Sequence, residues 1–190
     1  YNGLESNLTD KEVADHLSNL DEKRMKAEIQ RAEKEADITV IMPQMGVEYR
    51  LEPTDEQVKL YHKMIDWGAD IIFGGHPHVV EPSEVVKKDG QQKLIIYSMG
   101  NFTSSMLGSA TKETLILSLT LERDESGEVV LAEQTYYPCY MLDEYEKVPF
   151  VLIPEDKDYN GSLYENAPKA LVNQLKDYFK HIRKIVGKLD

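Results

Sequence analysis

His76 and His78 stand two residues apart in the run Ile71-Ile72-Phe73-Gly74-Gly75-His76-Pro77-His78-Val79-Val80, a short apolar strand that ends in two glycines and a His-x-His. Two imidazoles just past a strand end can hold a divalent metal or a phosphate, and neutral imidazole suits zinc, manganese or iron. Gly74 and Gly75 let the backbone turn sharply and approach a ligand closely. Pro77 fixes its own φ and disfavours the helical region for the residue before it. His76 is therefore expected to be extended, with both imidazoles projecting to one side. Metal sites usually need three or four ligands, so the pair leaves an alternative open: one histidine caps a turn and the other is a solvated loop residue.

The elements that must position this pair are legible around it. Thr9 to Glu12 reads as a capping box, and residues 21–35 form a charged helix with a thin apolar stripe through Met25, Ile29 and Ala32. Residues 37–42 (DITVIM) are a near-continuous apolar run, as expected of a central parallel strand. Thr54 to Gln57 is a second capping box, opening a helix that runs to Trp67 and stops at Gly68. The strand at residues 70–73 follows. Strand, helix and strand in this order predict a parallel crossover, and ligands of such sheets gather beyond the carboxyl ends of the strands, where Gln44 and His76 both fall.

After His78 the pattern changes. Residues 84–87 and 93–98 flank Asp89-Gly90, a hairpin signal, and strands at 114–122 and 129–137 flank Ser126-Gly127. All of these are expected to be antiparallel. Residues 138–166 read as less regular. A last amphipathic helix covers 167–186, with Leu171, Leu175, Tyr178, Phe179, Ile182 and Val186 as its apolar stripe.

With 190 residues and 41% apolar content, the chain can bury a good core. A net charge of −12 and a pI near 4.9 argue against a nucleic-acid or anionic-membrane surface, which calls for clustered Lys and Arg. Cys139, the single cysteine, excludes an intrachain disulfide and reads as a small buried hydrophobe. No stretch approaches the ~20 apolar residues of a membrane span, so the chain as given is expected to be soluble.

Several segments together resemble the poly-γ-glutamate capsule synthesis protein family of the CapA/PgsA type, which looks like a distant branch of the calcineurin-like metallophosphoesterases. They are Ile41 to Tyr49, Pro53 to Gln57, Gly68-Ala69-Asp70, Gly75 to Val79, and Tyr97-Ser98-Met99-Gly100-Asn101-Phe102. Tyr137-Pro138 and the helix closing at Ile185-Val186-Gly187 are also similar. The resemblance implies an α/β, metallophosphoesterase-like mixed-sheet sandwich: a parallel strand-helix-strand unit, then antiparallel strands and a C-terminal helix. It is a resemblance to the second half of the family's domain. Residues 1–190 are accordingly expected to be the C-terminal portion of a single CapA-like domain, whose first half, carrying an acidic strand-end motif and an Asn-Asn-His motif, would precede Tyr1.

His76 and His78 match the family's paired histidines. Where the family usually has His-Trp-Gly, this chain has Gln44-Met45-Gly46. Glutamine is a weak neutral oxygen ligand, so Gln44 is expected in hydrogen bonding rather than on a metal. Glu48 and Asn101 are expected to line the same pocket. The alternatives are a surface carboxylate for Glu48 and a left-handed turn residue for Asn101. Tyr49 and Trp67 are read as packing residues, and His16, His62 and His181 as solvated or packed. The resemblance implies a divalent zinc, manganese or iron ion in the intact protein, bound weakly or not at all by this piece alone. It also implies an anionic polymer or its precursor as partner, capsule-synthesis membrane partners, and a place on the extracellular face of the bacterial envelope. Nucleic acid is not expected as a partner. A homo-oligomer, or association with the first half, is expected to cover exposed apolar surface. Two other functions stay open: a non-catalytic polymer-binding or scaffold module, and a metal-dependent phosphoesterase acting on a small substrate.

Overall fold

The computed structural model describes Thr9 and residues 21–189. The capping box at Thr9 to Glu12 and His16 therefore fall outside the described residues. Helix α1 (Glu22–Glu35) starts at Asp21, whose carboxylate accepts from the Arg24 N–H at 2.7 Å. Met25 and Ile29 are buried on its apolar stripe. Helix α2 (Asp55–Trp67) carries the expected capping box: Thr54 accepts from the Gln57 N–H at 3.1 Å, and the Gln57 side chain accepts from the Thr54 N–H at 2.8 Å.

Among the described residues, a four-stranded mixed sheet runs in the order β1 (Val40–Ile41), β2 (Ile71–Phe73), β4 (Gln91–Ile96), β3 (Ser83–Lys88). Strands β1 and β2 are parallel, with Val40 opposite Ile71 and Ile41 opposite Ile72, as the strand-helix-strand pattern requires. Two expectations change. Among the described residues β1 lies at the sheet edge, with Val40 46% exposed, and β2 is the interior strand. Strand β4 forms the expected hairpin with β3 through Asp89 and Gly90, both at positive φ, yet it also pairs parallel to β2. The hairpin signal reports only the local partner, whereas the distant one is chosen by burial of Leu94, Ile95 and Ile96.

A second sheet, antiparallel, contains β5 (Glu113–Arg123), β6 (Val129–Tyr145) and β7 (Val148–Pro154). The irregular stretch expected after residue 137 is therefore partly strand. Pro138 lies inside β6, one residue past the last β6–β7 pair, Cys139 with Pro154, and its carbonyl accepts from the Glu155 N–H at 2.7 Å. In an antiparallel ladder a residue's N–H and C=O face the same neighbour, so the missing donor falls beyond the end of the β7 ladder and costs little.

The mixed sheet separates two cores. Ile72, Ile95 and Tyr97 pack with Met25, Ile29, Leu60, Tyr61, Met64 and Ile65 from α1 and α2. Ile71, Leu94 and Ile96 point the other way, onto Leu115, Leu131, Tyr140 and Ile153 of the second sheet and onto Leu175, Phe179, Ile182 and Val186 of helix α3 (Lys169–Val186). Adjacent strand residues thus serve opposite layers, as strand alternation demands. Cys139 is fully buried in β6, as expected.

At the amino ends of the parallel strands, Asp70 is buried. Its carboxylate accepts from the Thr39 N–H at 2.6 Å and pairs with Lys93. Removing one partner of a buried pair strands the other charge, whereas an exposed pair contributes little. Asp70→Ala is expected to lower unfolding stability by about 3–5 kcal/mol, and Asp66→Ala, which frees Lys88 from a carboxylate that is 70% exposed, by less than about 1 kcal/mol. Urea unfolding of the two variants beside wild type makes the comparison.

Candidate functional site

Strands β1, β2 and β4 are parallel and adjacent, so the loops that follow them, residues 42–54, 74–82 and 97–108, emerge side by side. Backbone bonds continue past the strands. The Gly75 N–H donates to Pro43 O at 3.0 Å, Met45 N–H to Gly75 O at 3.2 Å, Tyr49 N–H to Pro77 O at 2.8 Å, and Gly74 N–H to Ile96 O at 2.8 Å. Gly74 is required there: a Cβ would sit 1.9 Å from Tyr97 O.

This clamp brings His76 and His78 together, with ring centroids 6.3 Å apart and planes tilted by 42°. The backbone differs from the expected extended form. His76 has φ of 98° and His78 of 62°, left-handed conformations that cost non-glycine residues about 1–3 kcal/mol each. Bonds on both sides of Pro77 override the local preference.

Asn101 holds His78. Its Oδ1 lies 2.9 Å from His78 Nδ1, while its Nδ2 donates to Thr111 O at 3.1 Å, to His78 O at 3.3 Å and to Met106 Sδ at 3.4 Å. All three partners of the amide nitrogen are acceptors, which fixes the amide orientation and leaves Oδ1 as an acceptor toward the ring. A neutral His78 ring in this bond carries its proton on Nδ1 and presents the lone pair of Nε2. Hydrogen bonding to the other ring nitrogen is the arrangement that orients histidine ligands of metals.

The other expected site residues divide. Gln44 is exposed and pairs with Gly75, where a Cβ would come 2.7 Å from Gln44 Nε2. Glu48 is exposed on the turn and has no hydrogen bond or ion pair among the described residues, so nothing holds it on the histidines. Tyr49 is not a packing residue: it is 56% exposed and stacks on His78, with centroids 6.2 Å apart. Trp67 does pack, against the α1–α2 core. His62 bonds Glu84 at 3.1 Å, and His181 bonds the buried Glu113 at 2.7 Å, both away from the pair. Exposed Met42, Val47, Phe102 and Leu107 make the same loops apolar at their tips.

Two buried residues behind the site were not singled out from the sequence as site residues. Gln57 and Glu81 are fully buried, and Gln57 Nε2 donates to Glu81 Oε2 at 3.1 Å. Gln57 was recognisable only as a helix cap. Glu81, set between Val80 and Pro82, is a charge in an apolar stretch, the signal that would have found it.

The fit to a metal is partial. Two imidazoles on one tetrahedral ion, with metal–nitrogen distances of about 2.0–2.1 Å, place their centroids about 5 Å apart, so this pair is more open than one shared ion would draw it. No group of three or more His, Cys, Asp or Glu that could hold a metal occurs among the described residues. The described residues bring two such donors together where a site needs three or four.

Histidines and an asparagine at the carboxyl edge of a parallel strand-helix-strand unit define a strand-end site on an α/β fold. The profile of the bacterial capsule synthesis protein PGA_cap matches residues 2–106, and the chain belongs to that family. It is 39% identical over 99 residues to the PGA biosynthesis protein CapA of Bacillus subtilis (strain 168), covering 52% of this chain and 25% of that protein. It is 36% identical over 96 residues to the capsule biosynthesis protein CapA of Bacillus anthracis, covering 50% of this chain and 22% of that protein. The chain thus spans about a quarter of the length of these curated relatives. The matched segment contains His76, His78, Gln44, Glu48 and Asn101. It ends before Tyr137-Pro138 and α3, which the wider resemblance had included.

Asn101→Ala removes the acceptor that selects the His78 tautomer. Ring-nitrogen NMR of the neutral imidazole is expected to show the Nδ1–H form in wild type and a mixture of both forms in the variant; identical tautomers would separate Asn101 from the ring.

Proposed function

We propose that this chain is part of a capsule-biosynthesis protein of the bacterial envelope that handles poly-γ-glutamate, or a related anionic polymer or precursor, at the strand-end site. His76 and His78 would be ligands of a divalent zinc, manganese or iron ion, and donors outside the described residues would complete the set. The observation that carries this reading is the aim of His78: Asn101, itself fixed by three acceptors, leaves Nε2 of the neutral ring as the lone-pair donor. Charge supports it. A chain of net charge −12 repels a polyanion overall, so contact is favoured by a local positive centre, which a divalent ion would supply as a Lewis acid.

Gln44 favours a second reading, a polymer-binding or scaffold module that retains the fold without catalysis, because an exposed neutral amide stands where the family carries histidine. No helix among the described residues is long and apolar enough to cross a membrane.

Calorimetric titration with zinc and with manganese separates the readings. The 190-residue chain is expected to bind weakly and a longer protein more tightly, with binding lost in the His76→Ala, His78→Ala double variant. Unchanged affinity in that variant would remove both histidines from any metal site. Retention of poly-γ-glutamate by the longer protein after chelation would favour the scaffold reading.

A further inference from the structure

We propose that Glu81 is a proton-operated latch on the loop that carries His76 and His78: while protonated it seats the loop against α2, and on losing the proton it loosens that seat. Glu81 lies three residues past His78 and is fully buried. Its N–H donates to Ser98 O at 3.0 Å, tying the loop to the end of β4. Its Oε2 accepts from Gln57 Nε2, tying the loop to the first turn of α2. Gln57 in turn lies under the loop after β1, where a Cβ on Gly46 would come 2.8 Å from Nε2. Gln57 and Glu81 thus touch all three loops of the site: the loop after β1 by packing, the loop after β4 through the Glu81 N–H, and each other through the side-chain bond.

The other carboxyl oxygen, Oε1, is buried and has no hydrogen-bond partner among the described residues. The Tyr61 hydroxyl, equally buried, feels the charge of Glu81 and the side chain of Gln57. An ionised carboxylate satisfied through a single oxygen is costly in such surroundings, and a proton on Oε1 removes the charge. The groups around it do not compensate a full charge. Gln57 and Tyr61 face it from α2, Arg50 and Glu52 act on it from the loop after β1 with opposite sign, and Tyr97, whose hydroxyl bonds Glu84, stands on the β4 side.

Burial pushes the Glu81 carboxyl from its ordinary 4.5 up to about 7, against smaller lowering effects of the Gln57 hydrogen bond and Arg50. Its folded value lies above its unfolded one, so the folded state holds an extra proton between the two. The stability this contributes is fully present below about 4.5, is lost as pH rises through about 7, and changes no further above that.

Urea unfolding of wild type and Glu81→Gln from about pH 4 to about pH 9 tests the latch, since glutamine keeps the shape and never ionises. The folding equilibrium constant of wild type relative to the variant is expected to fall by roughly tenfold per pH unit within the window and to level off above it. Amide exchange of Tyr49, Gly75 and Glu81, whose N–H groups bind Pro77, Pro43 and Ser98, is expected to show opening in wild type beyond the intrinsic pH effect, and none in the variant. Parallel stability profiles, or loop opening equal in both proteins, would overturn the proposal. An arm that needs no variant follows the Glu81 carboxyl by carbon NMR: a midpoint near 7 supports the latch, and one near 4.5 sinks it. No metal takes part in these measurements, so their outcome is independent of the metal titrations.

Discussion

Everything at the site depends on how closely Gly74 and Gly75 lie between the chains on either side of them. Past the end of β2 this pair bonds to Ile96 O on one flank and Pro43 O on the other, while Gly74 approaches Tyr97 O to a distance no side chain permits. That contact extends the β1–β2–β4 pairing by a few residues beyond the strands. The next residues then have little freedom, and the chain turns at His76 and His78 with positive φ. Backbone strain of this kind persists only where surrounding bonds over-determine it, and here Tyr49 N–H to Pro77 O and Glu81 N–H to Ser98 O hold the turn at both ends.

A second layer of contacts converts this backbone position into an aimed side chain. Asn101 reads the His78 ring through Oδ1 and is itself oriented by Thr111 O. Thr111 opens the segment that leads into β5, where Gly100 pairs with Thr114 and Thr114 Oγ1 donates to Met99 O at 2.8 Å. Thr111 and Thr114 lie beyond the stretch matched by the capsule synthesis family, which ends at 106. The second sheet and α3 therefore support the candidate site from behind, and the buried Glu113 with His181 continues that support to the helix.

Polar burial divides the two ends of the parallel strands. At the amino ends Asp70 is matched by Lys93 and a backbone donor, so its charge is compensated. At the carboxyl ends Glu81 is fully buried with one oxygen unpartnered among the described residues. The first arrangement serves stability. The second leaves a group whose charge state matters to the loops around it, which is where buried polar imbalance has functional consequences.

Local pattern alone determined much of this molecule. The α2 capping box, the Asp89-Gly90 hairpin, the parallel β1–β2 unit and the α3 stripe each follow from interactions between residues near in sequence, or from a periodicity that one buried face imposes. The same logic placed Gln44, His76 and Asn101 at the strand ends. Tertiary structure decided what depends on distant partners. It paired β4 with β2, put β1 at the edge among the described residues, and carried β6 through Pro138 because the missing N–H falls past the ladder. It moved Tyr49 from expected packing to a stack on His78, left Glu48 unheld, and gave Gln57 and Glu81 their buried bond. Sequence reports the chemistry each side chain can perform and the periodicity of its own element. Which groups are dehydrated together, and which donor meets which acceptor, is settled only when separate elements close over them.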